Sequence, residues 1–422
     1  MRRTLVVSLV LVACRSGFDV QARDAPAVDA SLACVAQISA GGGHTCVLRG
    51  DGTVWCWGNN ALGELGLGTL NPGESPTPVE VLQSPGGPPF DHVVEISCGV
   101  EETSCALRDD GTAWCWGGNT CGQVGNGIVG DCSTFTTKSA VASPSKVVQS
   151  TPGNPSLTGI AEIVTGEENT CARMTDGTLQ CWGWNLYGQI GGSGVQASGY
   201  PIQVTTMNGV LGASAGVMVS YGHTCAWDTS GALRCWGYNA SGQLGVDNQT
   251  NQPYPDVVPL ASVVDARSAN QFTCAQLADG TMYCFGDDTD GQLGDGNMGT
   301  GVVSIVPAEV IASGSPFGSV AEIGTGDGTT CARKTDGTVW CWGTNNVGQL
   351  GIGSLTPAAS ASPVQVPLPA PASALAVGND HACAVLPGDE IRCWGDNTRG
   401  QLGNGTFDTP IDLPTAAVYS CP

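Results

Sequence analysis

A pair of cysteines ten residues apart recurs seven times in this 422-residue chain: Cys46 and Cys56, Cys105 and Cys115, Cys171 and Cys181, Cys225 and Cys235, Cys274 and Cys284, Cys331 and Cys341, Cys383 and Cys393. Recurrence inside one chain dictates a repeat architecture, in which each unit buries its apolar surface on its neighbours. Between the cysteines stands Asp-Gly-Thr at Asp51, Asp110, Asp176, Asp279 and Asp336, with Ser230-Gly231-Ala232 and Pro387-Gly388-Asp389 in the deviant copies. Such residues tolerate the positive φ of tight turns, so each pair flanks a β-hairpin. The turn lies midway, setting the two cysteines opposite one another at roughly 4.5 to 5.5 Å, within disulfide reach. One cross-strand disulfide per unit is therefore expected. Nine intervening residues are too many for a structural zinc site, which spaces its ligands more closely. No cysteine carries the His and Asn partners of a thiol catalyst at a recognisable spacing.

After the second cysteine comes Trp-Gly, at Trp57, Trp116, Trp182, Trp236, Trp342 and Trp394, with Phe285 substituting once. One large ring per unit is most simply glue between units. Next stands Asn60, Asn119, Asn185, Asn239, Asn345 or Asn397, with Asp288 in the fifth copy, a side chain suited to capping its own turn. Gly-Gln-Leu-Gly or a close variant follows, beginning at Gly63, Gly122, Gly188, Gly242, Gly291, Gly348 and Gly400. Glycine there permits a sharp bend and a close approach of backbones. Gly numbers 62 and charged residues make up 12% of the chain, which suits short strands and turns and leaves no long helix its polar face.

This grammar resembles that of the regulator of chromosome condensation family, whose repeats carry G-x-x-H-T-x-A-L and then D-G-x-V-x-x-W-G-x-N-x-x-G-Q-L-G. The resemblance implies an all-β fold over 34–422, a seven-bladed β-propeller of four-stranded antiparallel blades. A ring of this kind leaves only short edges and closes when its first and last units share strands. The paired cysteines depart from the family pattern and look like an extracellular, bridge-stabilised bacterial variant. Units repeat every 49 to 66 residues, so insertions fall between blades. Cys121 and Cys132 bracket the longest excursion and are expected to staple it. Cys34 and Cys421 are placed to clasp the ring, which leaves Cys98 single; an exchange of Cys98 for Cys34 in that pairing stays open.

Met1-Arg2-Arg3 and a short apolar run to Ala13 make residues 1–13 read as an export signal. Leu11-Val12-Ala13-Cys14 resembles the bacterial lipobox, which places a lipid on Cys14 and the protein in the cell envelope, or secretes it. Residues 14–33 lack a hydrophobic period and read as a flexible tether. The formal charge of −22 becomes −24 without Arg2 and Arg3. No basic stripe is visible, which argues against nucleic acid as a partner.

His44, His223 and His381 precede the first cysteine of blades one, four and seven and read as repeat-position packing. Asp287, Asp288 and Asp290 look faintly like a calcium loop but lack its remaining positions, so neither metal nor cofactor is expected. No acid and base pair, nucleophile elbow or phosphate loop is recognisable, and an enzyme is not expected. Trp184 and Tyr238 occupy one repeat position in consecutive blades and, with Tyr187, are expected to form an aromatic patch for a protein contact. The proline-rich stretches 71–89 and 355–371 are read as long loops. The expected function is a monomeric protein-binding module; the family resemblance also implies guanine-nucleotide exchange on a small GTPase or inhibition of an enzyme such as a β-lactamase.

Overall fold

Each repeat folds as four antiparallel strands in simple up-and-down order, because hairpin turns and short β-favouring runs alternate along the chain. The computed structural model describes residues 34–419 apart from 101, 133–138, 151–152 and 193. The expected signal, the tether with Cys14, and Cys421 lie outside the described residues. Blade one consists of Gln37–Ala40, His44–Leu48, Val54–Asn59 and Glu74–Glu80, from the inside outward. Blades two to seven occupy 93–146, 160–203, 216–257, 263–309, 320–365 and 374–416. Inner strands of consecutive blades adjoin, blade seven and blade one included, so seven sheets form a ring. The protein is a seven-bladed β-propeller, and no described residue is helical.

The cysteines of every hairpin are direct cross-strand partners, as with Cys46 opposite Cys56 and Cys225 opposite Cys235. All seven pairs are bonded, with Cα atoms 4.1 Å apart. Cys121 is bonded to Cys132. Cys34 is disulfide-bonded too, and its expected partner Cys421 lies outside the described residues. Cys98 is the free cysteine among the described residues, and burial pushes its thiol up to about 12. Its sulfur, a ring nitrogen of His44 and the sulfur of Cys46 lie within 4.8 Å of one another and would suit a metal by distance alone, but Cys46 is committed to Cys56.

Two readings of the sequence are corrected. Stretches 71–89 and 355–371 are not free loops, because they contain the outer strands Glu74–Glu80 and Ala359–Gln365. All seven outer strands carry proline, among them Pro76, Pro144, Pro201 and Pro414. Proline is compatible with an edge strand, whose outward N–H groups have no partner, and it blunts the edge against further pairing. Second, the ring does not close by sharing strands: blade one and blade seven are each built from one contiguous segment. Closure comes instead from an apolar cluster in which Ile38, Val47 and Trp57 of blade one meet Ala376, Cys383, Val385 and Leu402 of blade seven. The N–H of Cys34 also donates to Asp389 Oδ2 at 3.1 Å.

The core lies between blades rather than within them. Each of seven clusters sets the disulfide of one blade against the Trp or Phe of the next, as Cys171–Cys181 against Trp236. A polar joint sits on each. The indole N–H of Trp57, Trp116, Trp182, Trp236, Trp342 and Trp394 donates at 2.8–3.0 Å to the backbone carbonyl of the second residue in the preceding blade's Gly-Gln-Leu-Gly turn. The hydroxyl just before the first hairpin cysteine, such as Thr45, Ser104 or Thr224, reaches the same carbonyl at 2.9–3.1 Å. Blade five keeps only the Thr273 hydroxyl because Phe285 cannot donate, and blade seven keeps only Trp394 because Ala382 has no hydroxyl. The closing glycine of the turn lies flat on the ring it serves: a Cβ on Gly403 would stand 2.7 Å from Trp57 Nε1, at φ +66°.

A buried carbonyl with one donor left is satisfied, and one with none costs about 1–3 kcal/mol. Trp236→Phe and Thr224→Val should therefore each be mild, as Phe285 and Ala382 show by occurring naturally. The double variant should lose about 1–3 kcal/mol beyond their sum, read from urea unfolding midpoints. Simple additivity would show that the shared carbonyl is not the joint.

Candidate protein-binding face

Strand alternation sends the loops joining inner to second strand, and third to outer strand, to one face of the ring. The hairpin turns with Asp51 and its equivalents lie on the other. On the turn face, Asp51 Oδ1 accepts from the N–H and hydroxyl of Thr53, and the same pair recurs at Asp110, Asp176, Asp279 and Asp336. These turns are alike and self-satisfied. On the loop face the corresponding loops carry different side chains from blade to blade.

Trp184, Tyr187 and Tyr238 come together on this face, and a fourth ring, Tyr221, joins them. Tyr187 lies 4.6 Å from Tyr238, and Trp184 lies 5.3 Å from Tyr187 and 5.4 Å from Tyr221, between ring centroids. Trp184 is itself 5% exposed and forms the floor, while the three tyrosines are half-buried around it. The solvent-facing surface of the cluster is thus tyrosine, with exposed Leu186 beside it. Gly222 makes room, since a Cβ there would meet Tyr238 Cβ at 2.9 Å. Tyr221 was findable from the sequence, standing two residues before His223 in the loop that blade one fills with glycines.

Across blades five to seven the same face sinks into an open cleft of about 520 Å³, into which Asp287, Asp290, Asp327, Asp380 and Asp396 converge. No Lys or Arg lines it. Each carboxylate is held by a neutral donor: Gln292 on Asp287 at 2.7 Å, Thr344 on Asp290 at 3.1 Å, Asn270 on Asp327 at 3.3 Å, Gln349 on Asp380 at 3.2 Å and Gln401 on Asp396 at 2.7 Å. The turn glutamines that lend their backbone to the inter-blade joint thereby use their side chains to aim the acids. Burial and the charge of Asp327 raise the Asp380 carboxyl above the usual range. Fixed, unpaired carboxylates in a concave surface focus negative potential and attract cationic groups. Asp287 and Asp290 point into this cleft, so they do not form one loop with Asp288, which is fully buried.

The three histidines of blades one, four and seven are packing residues. Burial lowers His44 and His223 to about 3 and His381 to about 4. They are neutral and bonded to hydroxyls, His44 to Ser104 at 2.9 Å and His223 to Thr273 at 2.8 Å.

The pattern described as Regulator of chromosome condensation (RCC1) repeat matches residues 35–64, 93–123, 160–189, 320–349 and 372–401 in one form, and 51–106, 230–276 and 336–385 in another. Together these span more than half of the chain, which belongs to the regulator of chromosome condensation repeat family. It is similar to the ultraviolet-B receptor UVR8 of Arabidopsis thaliana, 28% identical over 372 residues, 87% of this chain and 78% of the receptor. It is 26% identical over 360 residues to the human E3 ubiquitin-protein ligase HERC2, 85% of this chain but 7% of the ligase. Among solved structures, Prp20p from Saccharomyces cerevisiae superposes with a TM-score of 0.75 at 20% identity, covering 88% of this chain and 87% of that one, and shows the same fold.

Glu64 stands where the other six turns have glutamine, is fully buried, and burial pushes its carboxyl up to about 7. Glu95, raised to about 8 by burial and by the charge of Glu162, acts in the same sense. The native state holds these protons to higher pH than the unfolded chain, so their contribution to stability falls as pH rises from about 4.5 toward 8. Glu64→Gln should raise the melting temperature at pH 8 more than at pH 5, and an unchanged pH profile would contradict the burial of that acid.

Proposed function

We propose that the chain is a non-enzymatic, monomeric protein-binding propeller that holds a basic partner on its loop face. The observation that carries this is the juxtaposition, on one face, of a tyrosine cluster over blades three and four and an aspartate-lined cleft over blades five to seven. Aromatic side chains anchor interfaces through buried area, and unpaired charge of one sign steers a partner of the other. Nucleic acid fits such a surface poorly, because its phosphates meet carboxylates. The acids give no support to an enzyme reading, since each is tied to a glutamine, asparagine or threonine of the repeat.

An exchange-factor-like role on a small GTPase is the alternative suggested by the family, and inhibition of an enzyme such as a β-lactamase is another. Prp20p is described by its binding to Gsp1p and histones. All three readings place a protein on the propeller, and they part on what that protein is. For location, we propose export to the cell envelope with a lipid on Cys14. Eight disulfides with both partners described favour an oxidising compartment. Among the described residues no helix is long and apolar enough to cross a membrane.

Affinity capture from the envelope and culture fluid of the source organism should return one saturable protein partner. Asp287→Asn with Asp327→Asn and Asp396→Asn should slow its association about tenfold at low salt and flatten the salt dependence. Tyr187→Ala with Tyr238→Ala should weaken it by about 10- to 100-fold, with the melting temperature unchanged. Undiminished capture by both variants would move the site to the turn face; a nucleotide-binding partner would favour the exchange reading. Cys14→Ser should release the protein from membranes, and unchanged fractionation would end the lipid assignment.

A further inference from the structure

We propose that blade five holds a divalent cation, calcium by its oxygen-only ligands, between the carboxylates of Asp288 and Asp295 and the backbone carbonyls of the loop they close. The inference rests on a position repeated seven times. In every blade the Oδ1 of this residue accepts the N–H of the residue five further on, as in Asn60 with Leu65 at 3.1 Å and Asp288 with Leu293 at 3.0 Å. In the six asparagine blades the other side-chain atom is an amide nitrogen, and it donates to backbone carbonyls that the loop turns inward. Asn60 reaches Thr69 and Pro72 at 3.1 and 2.8 Å, and Asn345 reaches Ser354 and Pro357, both at 2.9 Å. The loop is thus a cage of acceptors around two donated protons.

Blade five replaces the donor with an acceptor. Asp288 is fully buried, and its Oδ2 has no hydrogen-bond partner. The residue nine positions on, where Thr69, Ser354 and Thr406 meet their asparagines, is Asn297 in blade five. The carboxyl of Asp295 abuts that of Asp288 and adds a second anion to the same space. Asp295 is anchored by the N–H of Asn297 at 2.8 Å. Among the described residues no Lys or Arg forms an ion pair with either carboxylate. Oxygen ligands from carboxylates and carbonyls, converging without a proton donor, are what a hard divalent cation takes in place of water. The ion would do for blade five what the amide does for the other six, closing the outer loop. Asp287 and Asp290, turned into the cleft, are not among the ligands; Asp295 was hidden in the sequence because it follows the Gly-Gln-Leu-Gly turn.

The test is calorimetric titration of calcium chloride into the chelator-stripped protein, with melting temperatures in calcium and in EDTA. One saturable site is expected, with a melting temperature a few degrees higher in calcium. Asp288→Asn restores the amide of the other blades, so it should abolish that site, melt at the same temperature in both solutions, and exceed the wild type in EDTA. Asp295→Asn should weaken calcium binding at least tenfold and serves if the first variant does not fold. A wild type without a saturable calcium site would overturn the proposal and leave a shared proton in the cage, and so would a calcium response that survives both substitutions.

Discussion

The ring depends on one backbone carbonyl per junction. The second residue of each Gly-Gln-Leu-Gly turn gives its oxygen to the next blade, which answers with an indole N–H, a hydroxyl or both. Everything around it enforces that meeting. The glycine after it lies against the ring because no side chain would fit, the hairpin disulfide of the same blade forms the apolar bed, and the asparagine before the turn holds the loop in shape. Because the acceptor is backbone, its position depends on turn geometry and not on the residue there, which explains how Glu64 can stand in for glutamine without loss of the joint. Redundancy at the junction likewise lets blade five carry Phe285 and blade seven Ala382, since each keeps one donor.

Closure follows from the same physics. A propeller that shared strands between its ends would lock itself by backbone pairing. Here blade one simply meets blade seven through Trp57 and the carbonyl of Gln401, at 2.9 Å, as any other pair of blades meets. The bond from Cys34 and its contact with Asp389 lie beside this seam. A ring whose every junction is satisfied in the core is free to vary in its loops, and the loop face carries tyrosines in blades three and four and aspartates in blades five to seven. On the turn face the Asp-Gly-Thr hairpins repeat, and the connections between blades add the two-stranded excursions Thr205–Thr206 with Gly209–Val210 and Ile311–Ala312 with Ser315–Pro316.

Much of this was legible in the residues. The Asp-Gly-Thr turn midway between two cysteines placed the hairpins and their bridges, because a two-strand unit with a tight turn has only one way to face its strands. The blade count followed from recurrence. The outer strands escaped detection, since proline and serine in 71–89 and 355–371 look like loop composition, and an edge strand tolerates them because half its backbone groups need no partner. Three-dimensional neighbours contributed by different blades were the other blind spot. Trp184 and Tyr238 could be related by repeat position, whereas Tyr221 comes from a different loop, and the five aspartates of the cleft come from three blades and two loop types. The floor position of Trp184, beneath the tyrosines, is a matter of packing depth, which the spacing of residues does not encode.

Hydrogen–deuterium exchange of the propeller with and without its captured partner locates the binding surface. Protection should appear around residues 184–189, 221–222, 287–292, 327–328 and 396–399, on the loop face, while the hairpin turns around 49–53, 108–112 and 334–338 exchange as in the free ring. Protection confined to those turns, with the loop face unchanged, would contradict the assignment of the binding surface.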